Sequence, residues 1–389
     1  MSIFSRRAEI VTDENKIDEL LSRGVAEAIV RNDLRRKLLS GKRLRVKLGI
    51  DPTSPDLHIG RSIPLLKLRD FQTLGHKVVL IVGDFTAVIG DTSDKDAERP
   101  MLAREDIEKN KKTYYDQIGK LIDLSLAEFR YNSEWLAPLT YREIGEHADL
   151  FSVADFISRD NIASRLKAGK RVSLREVLYP LMQGYDSVAI KADVELGGTD
   201  QKFNLLAGRT LQEKYGQEPQ NIVMNPLVEG LDGRKMSSSW GNVIPLTASP
   251  SDMYGKVMSM ADAQVRTYFE LCTRVPTGEI ERIMEMHPKE SKMSLAKEIV
   301  EMYHGKDAAE KAQSGFMQPG DAPEYKFLRG GKIRDIADTV GISVSELRRL
   351  VSAGAIEVVG GEKIENIDAG LKDCTLKIGK HRFLKITFE

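Results

Sequence analysis

Only two cysteines, Cys272 and Cys374, occur in the 389 residues, and neither has a cysteine or histidine at metal-ligand spacing. Neither a zinc site nor a disulfide framework is supported. No apolar run approaches the length of a membrane span, and the first residues carry Arg6, Arg7 and Glu9 where a leader would be apolar. Neither a signal peptide nor a transmembrane helix is expected, and the cytoplasm is the default location. Net charge is missing too, because 58 Lys and Arg balance 58 Asp and Glu. Any contact with nucleic acid must then come from local basic patches and not from the overall field. What is present suffices for a packed protein, with 41% apolar residues for a core and 30% charged residues for its surface. At this length two or three domains are expected.

The chain is organised around residues 43–64. Basic and apolar residues alternate from Arg43 and then run apolar to Ile50, as in a strand entering a buried sheet. Asp51-Pro52-Thr53-Ser54-Pro55-Asp56 breaks that strand, since two prolines fix φ and withhold N–H donors. Apolar positions then return at helical spacing through Ile59, Ile63, Leu66 and Phe71, ending at Gly75. Pro64 requires this helix to begin near Gly60 or Arg61, so that its missing N–H falls in the first turn. The helix start would present His58, Gly60 and Arg61, a ready anion site. The residues alone leave open a plain loop with a structural histidine.

Further on, Lys77 to Val82 reads as a strand buried on both faces, followed by the polar turns Gly83-Asp84-Phe85-Thr86 and Ile89-Gly90-Asp91. In open α/β sheets that edge is where ligands sit. Residues 101–178 are helical in pattern, broken at 129–135. In the helix after Ser173, Tyr179, Gln183 and Asp186 are spaced to share one face amid apolar neighbours, as pocket-lining groups would be. Strands are expected at 193–196 and 221–224, with Gly197-Gly198-Thr199-Asp200-Gln201 after the first. Residues 247–312 are helical in pattern, and 314–331, with Pro319, Gly320, Pro323, Gly330 and Gly331, read as a linker. Beyond it, Ser343 and Glu346 form a capping box, and short β-rich segments finish the chain.

Asp51-Pro52-Thr53 followed by Pro55-Asp56-Leu57-His58-Ile59-Gly60 resembles the first signature of the class I aminoacyl-tRNA synthetases, in the form seen in bacterial tyrosyl enzymes. The second signature of that class, on a mobile loop far downstream, has its counterpart in Gly233-Arg234-Lys235-Met236-Ser237-Ser238-Ser239. The resemblance implies an α/β fold: a Rossmann-like catalytic domain with a parallel sheet over 1–245, a helical dimer-interface insertion at about 101–178, and a helical domain over 246–313. After the linker at 314–331 it implies a small α+β RNA-binding domain over 332–389, where 12 Lys or Arg stand against 9 Asp or Glu from Lys326 onward.

The activity implied is ATP-dependent formation of tyrosyl-adenylate followed by transfer of tyrosine to the 3′ end of its tRNA, by a homodimer using ATP with Mg²⁺ and no resident metal. Adenylation needs no general base, so positioning and electrostatic stabilisation carry it. The resemblance gives the catalytic roles to His58, Arg61, Lys235, Ser238, Lys95 and Arg99. It places Asp51, Thr53, Gly60, Gly198, Asp200, Met236 and Ser237 with them around ATP. Tyr179, Gln183 and Asp91 would hold the substrate's ammonium, Asp186 would accept from the phenol, and Gly49, Asp51 and Gln201 would complete the floor. Arg348, Arg349, Lys377, Lys380 and Arg382 are the expected phosphate contacts to RNA. Three positions depart from the family pattern: Arg61 replaces a histidine, Ser238 a lysine, and Lys47 a tyrosine found in some tyrosyl enzymes. The first two leave room for a synthetase-derived RNA-binding protein without catalysis, and a tryptophanyl enzyme is the nearest catalytic alternative.

Overall fold

Parallel strands need crossover connections, and the alternation of strand and helix segments from residue 45 onward builds one such sheet. The computed structural model of the chain describes residues 9–91, 101–316, 322, 324–327, 330–379 and 382–388, without the side chains of Ser239 and Arg382. The chain falls into two compact units. One holds the residues up to 230 with 234–247 and 270–272, and the other holds 231–233, 248–269 and 273 onward.

Six strands make the sheet of the first unit: β1 Glu27–Ile29, β2 Arg45–Ile50, β3 Lys77–Val82, β4 Glu128–Tyr131, β5 Val194–Gly198 and β6 Asn221–Asn225. Their spatial order is β1-β6-β5-β2-β3-β4, and only the β1–β6 pair is antiparallel. Val46, Leu48, Val78, Leu80 and Val82 on one face and Val79 and Ile81 on the other are all buried, which is why β3 reads as an unbroken apolar run. The edge strands β1 and β4 were not expected. β4 coincides with the break at 129–135 in the stretch read as helical, but four half-buried residues at a sheet edge give too weak an alternation to mark a strand. The chain leaves β2 outward to β3 and β4, then returns to β5 and β6 on the other side of β2. Strand order reverses between β2 and β5, and a crevice opens outside the carboxyl ends of the strands at such a switch point.

Two helices aim side chains at that crevice. Ile59–Thr73 crosses from β2 to β3 and packs on both. It begins at Ile59, so Pro64 falls in its second turn and not in the first as expected, and the hydrogen bond to the Gly60 carbonyl is absent from the ladder. Leu174–Ile190 likewise contains Pro180, and the Glu176 carbonyl that Pro180 cannot serve accepts from Arg159 Nη2 at 3.4 Å. This helix lies against Lys202–Lys214 at backbone contact, since a Cβ on Gly184 would stand 3.0 Å from the Gly208 nitrogen. Glycine at both positions lets the helix bearing Tyr179, Gln183 and Asp186 settle close beside the one that follows β5.

In the second unit, Pro288–His304 packs on Pro250–Met258 and on Lys306–Gly315. The C-terminal strands β7 Glu324–Phe327, β8 Ile356–Val358, β9 Cys374–Ile378 and β10 Arg382–Phe388 form a sheet in the order β7-β10-β9-β8. Ile333, Ile336, Leu347, Ile356, Leu376, Leu384 and Ile386 give this region its own apolar core. β7 pairs parallel with β10 and corrects the reading of 314–331 as linker throughout, since the flanking prolines and glycines hide a four-residue strand. Only half of the expected capping box forms. Ser343 accepts from the Glu346 N–H at 3.1 Å, but the Glu346 carboxylate turns to Arg349. No helix among the described residues is long and apolar enough to cross a membrane.

Candidate active site

A cavity of about 740 Å³ opens at the switch point between β2 and β5. Gly49 is the one exposed residue of β2, and a Cβ there would meet nothing within 4 Å, so its backbone forms open floor. Apart from Lys95 and Arg99, which lie outside the described residues, every residue expected to bind ATP or the amino acid lines this cavity.

The carboxylates of Asp51 and Asp186 both line this cavity. Asp51, just past β2, accepts from Thr86 Oγ1 at 2.7 Å and from the Tyr179 hydroxyl at 2.9 Å. These bonds tie the strand end to the turn after β3 and to the Leu174–Ile190 helix. A Cβ on Gly83 would collide with both Asp51 Oδ1 and Thr86 Oγ1. Gly83→Ala should therefore destabilise the protein by about 1–3 kcal/mol, as overpacking does, readable as a lower midpoint in urea; an unchanged midpoint would mean the turn yields freely.

Asp186 sits deeper. Its carboxylate accepts from the Trp135 indole N–H at 2.8 Å and from Asn132 Nδ2 at 3.5 Å, and Asn132 also donates to Thr86 at 2.8 Å. Burial pushes Asp186 up to about 7, against the pull of Lys47, and pushes Asp51 up to about 6. Both are raised above the ordinary carboxylate value, so the folded protein holds their protons to higher pH than an unfolded chain does. A ligand that needs Asp186 as a charged acceptor must then lose affinity as pH falls below about 7, approaching tenfold per pH unit. Asp186→Asn should remove that upper step while the lower one, from Asp51, persists. A titration of ligand binding with the same upper step in wild type and variant would assign it elsewhere.

A helix start and a loop supply another part of the lining. His58 precedes the Ile59–Thr73 helix, and burial together with the Arg61 charge pushes its imidazole down to about 3. It is neutral near pH 7 and offers a hydrogen bond instead of a positive charge. Its Nδ1 is buried without a partner among the described residues. The Gly60 N–H, expected to face an anion, instead donates to Met236 Sδ at 3.2 Å. Residues 57–59 are laced to 244–246 by Ile59 N to Ile244 O at 3.0 Å and Leu246 N to Leu57 O at 2.8 Å. The loop before them is held by buried Asn242, which accepts from Ser237 N at 2.8 Å and donates to Lys235 O at 3.1 Å. Lys235 reaches back to Asp200 at 3.0 Å.

The expected RNA contacts belong to the second unit. Arg348 is exposed, Arg349 pairs with Glu346 and Lys377 pairs with Glu357. Lys380 and the Arg382 side chain lie outside the described set. Sequence reasoning missed Asn132, Trp135 and Thr86 as supports of the acidic residues. It also missed the fully buried Lys47–Glu195 ion pair, 2.8 Å long, beneath Gln183. The switch-point rule would have drawn attention to Asn132 and Trp135, had β4 been recognised.

A family model described as tRNA synthetases class I (W and Y) matches residues 39–318. A tyrosine–tRNA ligase from Carboxydothermus hydrogenoformans is 46% identical over 95% of this chain and 97% of its own length. One from Thermotoga maritima is 43% identical over 97% and 98%. Among solved structures, a C-terminally truncated mitochondrial tyrosyl-tRNA synthetase of Coccidioides posadasii superposes with a TM-score of 0.64 at 27% identity, covering 77% of this chain and 90% of that one.

Proposed function

The chain belongs to the class I tRNA synthetases for tryptophan and tyrosine, and on that premise we propose how its residues divide the work. Its activity is that of a tyrosine–tRNA ligase. The tyrosine carboxylate attacks the α-phosphorus of ATP, the bond to the β-phosphate oxygen breaks, and pyrophosphate leaves. A ribose hydroxyl at the 3′ end of tRNA then attacks the adenylate carbonyl, and AMP leaves.

In our assignment the phenol lies toward Asp186, the ammonium toward Asp91, Tyr179 and Gln183, and the triphosphate, with its Mg²⁺, toward His58, Arg61, Lys235 and Ser238. Gly49, Asp51, Thr53, Gly60, Gly198, Asp200, Gln201, Met236 and Ser237 line the path between, and Lys95 and Arg99 are assigned to the pyrophosphate. The observation that supports this most directly is one cavity lined both by the buried Asp186 carboxylate and by Lys235. A buried acceptor prefers a hydroxyl over its absence, and tyrosine-activating enzymes are themselves the standard illustration of that rule. Neutral His58 donates a hydrogen bond to a phosphate oxygen, while the Arg61 and Lys235 charges meet the negative charge that builds on the leaving group.

We also assign Arg348, Arg349, Lys377, Lys380 and Arg382 to tRNA phosphates, a cytoplasmic location, and a homodimer through the insertion at about 101–178. There Tyr141 is 95%, Val153 74% and Leu174 71% exposed, more apolar side chain than a solvated face needs. The domain limits proposed are 1–245, 246–313 and 332–389. ATP–pyrophosphate exchange with tyrosine, tryptophan and phenylalanine in parallel tests the pocket. Exchange with tyrosine alone is expected; equal exchange with tryptophan would remove the role given to Asp186.

A further inference from the structure

Behind the wall that carries Gln183 and Gln201 lies Asn204, only 1% exposed and set back from the cavity lining. Its side-chain NH₂ donates to Gln183 Oε1 at 3.1 Å and to Gln201 Oε1 at 2.9 Å. The far end of each glutamine meets a carboxylate. Gln201 Nε2 donates to Asp91 Oδ2 at 2.7 Å, and Gln183 Nε2 donates to Glu195 Oε1 at 3.3 Å. Glu195 is fixed in turn by Lys47 at 2.8 Å, by the Ser187 hydroxyl at 3.0 Å and by Gln220. An ionised carboxylate only accepts, so turning either glutamine amide around would set oxygen against oxygen. Both amide oxygens therefore turn toward the Asn204 donor that lies between them. Without that donor the two negative ends would face each other with nothing from Asn204 to hold them together.

We propose that Asn204 is a positioning residue for the substrate's ammonium group: it holds the Gln183 and Gln201 oxygens together so that this wall presents acceptors. The proposal rests on the assignment of the ammonium to Asp91, Tyr179 and Gln183. An ammonium group has three donors and no acceptor, and the Gln183 oxygen, an amide acceptor with two lone pairs, serves Asn204 with one of them. A wall of mixed polarity would meet one of those donors with another. Asn204 touches neither substrate nor reacting atoms. Because the ammonium keeps its charge throughout adenylation, the effect falls on binding and not on the chemical step.

Asn204→Leu keeps the branching at Cγ, at a larger volume, and removes the donors. Dissociation constants are to be measured for tyrosine, for tyrosinol, which keeps the ammonium without the carboxylate, and for 3-(4-hydroxyphenyl)propionate, which keeps the carboxylate without the ammonium. The expected result is about 10- to 100-fold weaker tyrosine and tyrosinol binding, the worth of a hydrogen bond to a charged group, with the propionate unaffected. Turnover in adenylation should stay within about twofold. Asn204→Ser, which retains one donor, should show the same selectivity with a smaller loss and stands in if the leucine variant does not fold. Equal weakening of all three ligands, or of none, overturns the proposal. Gln183→Ala is the control: if it spares tyrosinol, the ammonium assignment itself fails, whereas if it weakens tyrosinol while Asn204→Leu does not, only the role of Asn204 fails.

Discussion

Lys235→Ala should lower the rate of tyrosyl-adenylate formation by about 100- to 1,000-fold, the range for losing one preorganised group that meets developing charge. Tyrosine affinity should barely move, because Lys235 is assigned to the triphosphate and pairs with Asp200 on the turn after β5. The loss belongs to the transition state: pyrophosphate gains charge as it departs, so a cation there binds that species better than bound ATP. Rapid-quench measurement of adenylate formation at saturating tyrosine separates the two effects. A variant with normal adenylation but impaired transfer to tRNA would place Lys235 in the second step instead. Ser238, where the family has a second lysine, makes the contribution of Lys235 harder to replace within this loop.

The other large effect concerns selectivity. Asp186→Leu removes the acceptor proposed for the phenol and leaves the Trp135 indole N–H, now bonded at 2.8 Å, without its partner. Losing a charged hydrogen bond and stranding a buried donor together cost about 3–4 kcal/mol, or two to three orders of magnitude in kcat/KM for tyrosine. Phenylalanine, which never used the acceptor, should lose far less, so the preference between the two substrates collapses. The pair of kcat/KM values decides it. An equal fall for both substrates would show that Asp186 only maintains the pocket's shape. Relative to wild type, ligand-free Asp186→Leu protein should gain stability as pH rises from about 4 to about 7, because the folded wild-type carboxylate stays protonated to about 7 while the unfolded one ionises near its ordinary value; above 7 the difference should level off.

The residues that line the cavity were legible because their chemistry is local: a proline-punctuated strand end at Asp51, a helix start at His58, and a helix face carrying Tyr179, Gln183 and Asp186. β2, β3, β5 and β6 were legible for the same reason, since strands in the middle of a sheet are apolar on both faces. The residues that hold those groups in place were not. Asn132 supports Asp51 through Thr86, and Asn204 supports Gln201 and Gln183, in both cases across sequence gaps that no periodicity spans. The failures share a physical form. β1, β4 and β7 are edge strands of three or four residues, and Pro64 sits in a second turn because packing against β2 and β3 outweighs one missing hydrogen bond.

The buried Lys47–Glu195 pair has a consequence for how this pocket can change over generations. Removing either partner alone strands the other charge beneath Gln183, a loss of about 3–5 kcal/mol and a large share of a typical domain's margin. The two residues come from opposite sides of the switch point, yet they must be inherited as a single character. A tyrosine at position 47, the alternative seen in other tyrosyl enzymes, escapes that loss only where position 195 is neutralised together with it. The floor of this pocket is a historical lock as well as a structural one.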